Sequence, residues 1–336
     1  MTGAARNTLN GCFLLLWLLA FDLQAATIGD DKASAIKGHK RVVIAEFGVE
    51  FYSQLHAEGK SGAANAQVTA QLDGVGDATL QAITDRAYAD TVAALTKAGF
   101  EVVDGQPLRQ DAIYLQLEGK YGAASPLQYD DQELFKGAPS TSRVFAPAGM
   151  RAFFSSGVAR GDMRQRIDVQ NYARGMKEGE LAKAQNATVL HVHYLASFGM
   201  VSGTKNNALL AGVRGAKAEF EAKPVLFPND TAMQFVTAAG PRLSSRRQRH
   251  SGAVFLKEPL YAAENIFSMS DTTSAASKKS DAKGKAMGML FGSGKGTSRQ
   301  TDSVVPTSEA AFQSTYSDLI NEAANSLSQA LAAARG

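Results

Sequence analysis

Beyond Cys12 the sequence contains no cysteine. Everything C-terminal to it is therefore without disulfides, cysteine nucleophiles and thiolate metal sites. Long apolar runs are also missing. The longest, Phe13 to Phe21, is about half the roughly 20 apolar residues that a membrane-spanning helix needs, so no transmembrane helix is expected. Charge of one sign is scarce, with a net charge of only +3. Dedicated nucleic-acid binders carry a basic stripe and a higher excess of base, so nucleic acid is not an expected partner. Neither a Gly-x-Ser-x-Gly elbow nor a His-Glu-x-x-His helix occurs. Serine-hydrolase and zinc-peptidase chemistry thus lack their usual signatures, although a triad can assemble in space without one.

What is present begins with an export pattern. Arg6 supplies a positive start, Phe13 to Phe21 an uncharged apolar stretch, and Leu23-Gln24-Ala25-Ala26 small residues suited to cleavage. That is the layout of a secretory signal peptide. Cleavage is expected near Ala25 or Ala26, with a periplasmic or secreted product whose residues 27–40 form a flexible N-terminus. Leu9-Asn10-Gly11-Cys12 ends in the Gly-Cys of lipidation sites. In an anchor, however, the apolar segment precedes the cysteine, and here it follows, so lipidation is set aside.

The patterning predicts a mixed α/β fold over 41–271. Arg41 to Phe51 reads as a strand, apolar on both faces at first, after which Phe47, Val49 and Phe51 alternate with Glu46 and Glu50. Residues 57–74 read as a connection with a short strand at 67–72. A helix from Asp77 to Ala98, stopped by Gly99, leads directly into a strand at 100–103 and completes a β–helix–β unit. Ile113, Leu115 and Leu117 alternate with polar neighbours and predict another strand. Residues 119–168 read as a loop-rich insert, 169–185 as a helix and 187–195 as a buried strand. An antiparallel meander is expected from strands at 216–223, 232–236 and 253–256. Residues 272–303, rich in Ser, Lys and Gly, read as a flexible loop, and 304–336 as a helix packing on the core, with Glu309 and Arg335 matching its dipole.

Four groups of residues carry candidate chemistry. His191 and His193, two apart on a strand, point to one face, as in many two-histidine metal sites. No third ligand is evident in the sequence, and packing of both rings at a half-buried face outweighs metal, so no metal or other cofactor is assigned. Gly292 to Thr297 resembles a phosphate-binding loop, but Met289 stands where its first glycine belongs and Gly296 where Ser or Thr must follow Lys295. Arg246, Arg247 and Arg249 form the densest basic cluster, a candidate contact for an acidic partner, cell-wall polymer or anionic lipid. Met287, Met289, Leu290 and Phe291 are an apolar tip among lysines, suited to a membrane surface or a partner's groove. A fold back onto the chain's own core weighs about equally.

The order of elements resembles a group of bacterial envelope domains. The residues are Arg41-Val42-Val43-Ile44-Ala45-Glu46-Phe47, then Leu95 through Ala98-Gly99-Phe100-Glu101-Val102-Val103, and Leu181-Ala182-Lys183-Ala184-Gln185-Asn186-Ala187-Thr188-Val189-Leu190. In that order they are similar to the curli-secretion lipoprotein family, the penicillin-binding-protein activator lipoproteins and the N-terminal domain of the translocation protein TolB. The likeness extends over 41–265 and departs at the lipid anchor and at the loops 119–168 and 272–303. It implies a mixed sheet with a C-terminal helix, while a fold by itself assigns no role. The leading expectation is an exported, non-catalytic binding, accessory or assembly protein whose partner is an envelope protein or a cell-wall or membrane surface. The alternative is an exported enzyme, small-ligand or metal-binding protein with its site near His191 and His193.

Overall fold

The computed structural model describes residues 26–336 except 62–63, 104, 131–139, 154–162, 204, 207–215, 229, 242–249 and 291–295. In chain order, β1 (Ile28–Asp31) and a 3-10 turn (Ala33–Ile36) precede β2 (Arg41–Ser61), β3 (Ala64–Leu72), α1 (Asp77–Lys97) and β4 (Glu101–Val102). Next come α2 (Gly105–Leu108), α3 (Ala112–Tyr121), β5 (Gly122–Ala123), β6 (Leu127–Asp130), β7 (Thr141–Phe145), β8 (Ala152–Phe153) and α4 (Met163–Gln185). The strands β9 (Thr188–Gly203), β10 (Lys205–Asn206), β11 (Ala218–Leu226), β12 (Ala232–Val236), β13 (Gly252–Leu256), β14 (Leu260–Tyr261) and β15 (Phe267–Asp271) follow. Last are α5 (Ala275–Leu290), β16 (Gly296–Pro306) and α6 (Glu309–Arg335).

Among the described residues 14 strands form one mixed sheet, with the path β1-β13-β12-β9-β2-β3-β16-β15 and the others joined to its sides. The fold class is the mixed α/β one that the patterning predicts. β4 returns parallel to β2 after α1, pairing Arg41 with Glu101 and Val42 with Val102. Gly99, at φ 86, ends α1 in the left-handed conformation a glycine takes most easily. β9, β12 and β13 run antiparallel to one another in turn, as does β11 to β9. The Ser308 hydroxyl accepts from Ala311 N at 3.0 Å and starts α6.

Helices cover both faces. On one, Leu80, Ile83, Ala87 and Leu95 of α1 and Phe312, Tyr316, Leu319, Ile320 and Leu327 of α6 pack on Val42, Ile44, Phe47, Val49, Leu190, Val192 and Tyr194. On the other, Tyr114 and Leu117 of α3 and Leu181 and Ala182 of α4 meet Val43, Ala45, Val189 and Val236. Burial of each large apolar side chain is worth about 1.5–3 kcal/mol, so the two-sided cover accounts for the unbroken apolar starts of β2 and β9.

The structure corrects five readings. Residues 113–117 are helical: Asp111 accepts from Ile113 N at 2.8 Å and Tyr114 N at 3.2 Å, and it is Tyr114 and Leu117 that are buried. The five-residue alternation fits a helix face as well as a strand face. Residues 57–74 are not a connection but the β2–β3 hairpin, with Gln54 opposite Gln71 and Ser61 opposite Ala64. The small residues there answer to crowding, because a Cβ on Gly59 would lie 2.0 Å from the Lys217 carbonyl oxygen. The insert 119–168 holds β5 to β8 and the start of α4, and β7 pairs with β2. Residues 27–40 hold β1, paired with β13, and the buried Ala33 and Ile36. The segment 272–303 forms α5 and β16, the latter parallel to β3 from Gly296 to Val304. The strand β16 lies between β3 and β15 near the end of the sheet, and its polarity suits the exposure of Arg299, Gln300 and Thr301.

Candidate functional site

A shift of register in β2 creates the most unusual feature of the interior. Beside β9, Ile44 pairs with Leu190 but Glu46 pairs with His191, which leaves Ala45 as an extra residue in β2. Side chains on a strand alternate faces, so one extra residue reverses the parity of everything after it. Before the bulge Val42 and Ile44 face α1 and α6; after it Phe47, Val49 and Phe51 do so. Glu46, Gly48 and Glu50 are thereby turned to the face covered by α4. On β9, Val192 and Tyr194 belong to the α1–α6 core. His191 and His193 accordingly share the opposite face with the two glutamates.

α4 supplies the complementary groups. Arg174 and Glu178, four apart and so on one side of the helix, are both buried against this face. The guanidinium reaches Glu46 Oε2 at 2.6 Å and Glu178 Oε1 at 2.8 Å. It also stacks 4.6 Å from the Phe153 ring centre and 5.5 Å from that of Tyr121, so its flat faces are covered by aromatic carbon. His191 Nε2 lies 3.1 Å from Glu178 Oε1. Close approach of α4 is permitted by Gly179, where a Cβ would come 2.8 Å from Gly240 Cα.

A second chain of contacts runs across β7, β2 and β9. The Ser142 hydroxyl donates to Glu50 Oε1 at 2.5 Å. Glu50 Oε2 lies 3.3 Å from His193 Nε2, a charge contact more than a well-aligned hydrogen bond. His193 Nδ1 is 2.7 Å from the Asp230 carbonyl oxygen. A carbonyl can only accept, so Nδ1 carries the proton in that contact. With Nδ1 committed, a bare Nε2 would present its lone pair to a carboxylate, and a protonated one presents a donor. Burial works against the imidazolium, but the Glu50 carboxylate and the Asp230 carbonyl outweigh it, and the His193 pKa is raised above its ordinary value. Nearby, burial, with the Glu118 and Glu46 carboxylates adding to it, pushes the Tyr114 phenol up to about 12.

Glu46, Glu50, Arg174, Glu178, His191 and His193 are all buried, His193 being the most exposed at 7%. Two of the three carboxylates, Glu46 and Glu178, meet the guanidinium and the third, Glu50, meets His193, and the set is neutral when both imidazoles are protonated. The arrangement can hold protons and tie α4 to the sheet. It is not built for nucleophilic catalysis, since the Ser142 hydroxyl is bound to a carboxylate in the interior and not to an imidazole base. Among the described residues no group of three or more His, Asp or Glu side chains is arranged to hold a metal ion.

His191 and His193 are thus brought to one face, as the alternation predicts, but with acidic neighbours that the sequence reading lacked. Glu46 and Glu50 had a signal, being acids four apart in an otherwise apolar strand. Arg174, Glu178 and Ser142 had none beyond ordinary helix and strand spacing. Met287, Met289 and Leu290 fall in the last turns of α5, and Phe291 lies outside the described residues, as do Arg246, Arg247 and Arg249. Among the described residues no helix is long and apolar enough to cross a membrane. No known protein family, curated protein or solved structure matches the chain.

Proposed function

We propose that this is an exported, non-catalytic binding or accessory protein of the cell envelope. One observation carries the reading. The titratable groups best suited to chemistry are turned on one another in the interior, from Ser142 through Glu50 and His193 to the Asp230 carbonyl, and from Glu46 through Arg174 and Glu178 to His191. Buried groups bound to one another in this way order a fold and leave recognition to the surface. The export pattern at residues 1–26 and the order of elements resembling envelope domains support the location. The test joins cell fractionation, with mass analysis of the N-terminus, to a crosslinked pull-down from envelope extract. A product beginning near Ala26 or Thr27 and a reproducible envelope partner are expected; full-length chain in the cytosol would overturn the proposal.

A second reading, an exported enzyme or small-ligand protein, is favoured by the gathering of three carboxylates around His191 and His193. Elemental analysis of the purified protein, with His191→Ala and His193→Ala, separates the two. Stoichiometric zinc or copper lost in both variants would reverse the order of preference.

A further inference from the structure

The helix α4 has little apolar hold on the sheet. From 173 to 185 its buried positions are Arg174, Gly175, Glu178, Gly179, Leu181 and Ala182. Two of these are glycines, which bring no side chain, and two are charged. Only Leu181 and Ala182 add apolar contact, in the small cluster around Val43, Ala45, Val189 and Val236. On the opposite face α6 buries Phe312, Tyr316, Leu319, Ile320, Leu327 and Leu331. Helices in proteins draw most of their stability from a packed apolar face, so α4 depends on its charges far more than α6 does. Its C-terminal end is jointed. Asn186, at φ 46, is a single left-handed residue in the turn from Gln185 to Thr188, and Gln185 Nε2 donates to Asp111 Oδ2 at 2.8 Å.

The charges between α4 and the sheet form a ring of alternating sign once His191 is protonated. Arg174 touches Glu46 of β2 and Glu178 of its own helix, Glu178 touches His191 of β9, and Glu46 stands beside His191 in the ladder. Glu178 Oε1 serves Arg174 and His191 at once. With a neutral imidazole this set holds two carboxylates and one guanidinium, an excess negative charge away from water. With an imidazolium the charges cancel and every neighbour is of opposite sign. A buried charge left uncompensated is strongly destabilising. The other groups around His191 do not supply the missing charge. Gln234 of β12 stands opposite it and is neutral. From α3, the Tyr114 phenol near Glu46 and Arg174 stays neutral, its pKa pushed up to about 12 by burial and nearby carboxylates. Glu50 and His193 face each other, and on the outer side of α4 Lys177 pairs with Glu180.

We propose that α4 is a proton-operated latch. A protonated His191 clamps it, and loss of that proton lets α4 swing from β2 and β9 about Asn186, uncovering Glu46 and His191 while α1 and α6 stay in place. The latch does not rest on the envelope reading. A closed state that holds a proton the open state gives up opens more as pH rises, by up to about tenfold per unit above the ordinary imidazole value of about 6.5. Cys12 is the sole cysteine. In a Cys12→Ser background, Ala182→Cys therefore places one thiol beneath α4, and Ala324→Cys places one in the α1–α6 core. Labelling by a thiol reagent, each rate divided by that of the same thiol in the urea-unfolded chain, measures opening from mild acid to alkaline pH. The Ala182→Cys ratio is expected to rise about tenfold per unit above neutral pH while the Ala324→Cys ratio stays level. Glu178→Gln removes the charge that calls for the proton, and His191→Gln removes the proton's seat. Either should flatten the rise, whereas His193→Gln should keep it. A level ratio for Ala182→Cys, a parallel rise at both thiols, or a rise that persists in Glu178→Gln would overturn the inference.

Discussion

His193 Nε2 lies 3.3 Å from Glu50 Oε2 in an interior where both side chains are all but sealed from water. The contact links folding to protonation. His193 has a raised pKa in the folded chain, its burial outweighed by Glu50 and Asp230. Its contribution to stability is complete below the unfolded value of 6.5 and is lost as pH rises through the folded value. The difference in unfolding free energy between the native chain and His193→Gln should accordingly be largest in mild acid and shrink through neutral and alkaline pH. Urea titrations at several pH values measure it; a difference that stays level with pH would contradict the protonated assignment.

Arg174 should be the most sensitive position of the same face. Arg174→Ala leaves Glu46 and Glu178 buried without their cation, a change worth about 3–5 kcal/mol in comparable buried pairs. Arg174→Met combined with Glu46→Gln and Glu178→Gln removes the charges together and should recover much of the loss. Urea unfolding of the single, double and triple variants gives the coupling, and simple additivity would show that the three groups do not act as a unit.

Ala45 tests the origin of the site. Deleting it would join Ile44 directly to Glu46 and make the β2–β9 ladder regular, with Glu46 still beside His191 and Phe47 still beside Val192. Strand alternation across that join leaves Glu46 and Glu50 on the face of α4 and Phe47, Val49 and Phe51 on the face of α1 and α6. The deletion should therefore keep cooperative thermal unfolding, and Ala45→Gly, which keeps the extra residue, should cost about 1 kcal/mol. A deletion variant that loses cooperative unfolding would mean that the bulge itself is needed to seat β2.

The two leucines of α3 report its conformation. Leu115 is 49% exposed and Leu117 is 4% exposed. Leu117→Ala should cost about 2–5 kcal/mol and Leu115→Ala within about 0.5 kcal/mol. Equal costs, measured by thermal or urea unfolding, would favour the strand that the bare alternation suggests.

Much of the architecture is legible in the residues themselves, wherever a pattern is long and its endings are marked. α1 and α6 sustain their apolar spacing over five turns or more and end at Gly99 or begin at Ser308. β9 and the first half of β2 are apolar on both faces, which calls for helices on both sides. Shorter or blander stretches are ambiguous for a physical reason. Five residues of alternation at 113–117 cannot separate two periods, and the glycine- and alanine-rich β2–β3 hairpin has the composition of a loop because neighbouring backbone crowds it. A polar strand such as β16 shows its nature only beside the strand it pairs with.

The candidate site divides in the same way. Strand periodicity alone places His191 and His193 on one face, since that follows from the pleat of any extended chain. Their company was decided only in three dimensions. Glu46 and Glu50 reach that face through one surplus residue in a ladder whose register no local rule reveals. Arg174 and Glu178 arrive on a helix more than a hundred positions from Glu46. Whether a charge is buried depends on what packs over it, and that is a property of the assembled layers, not of any single segment.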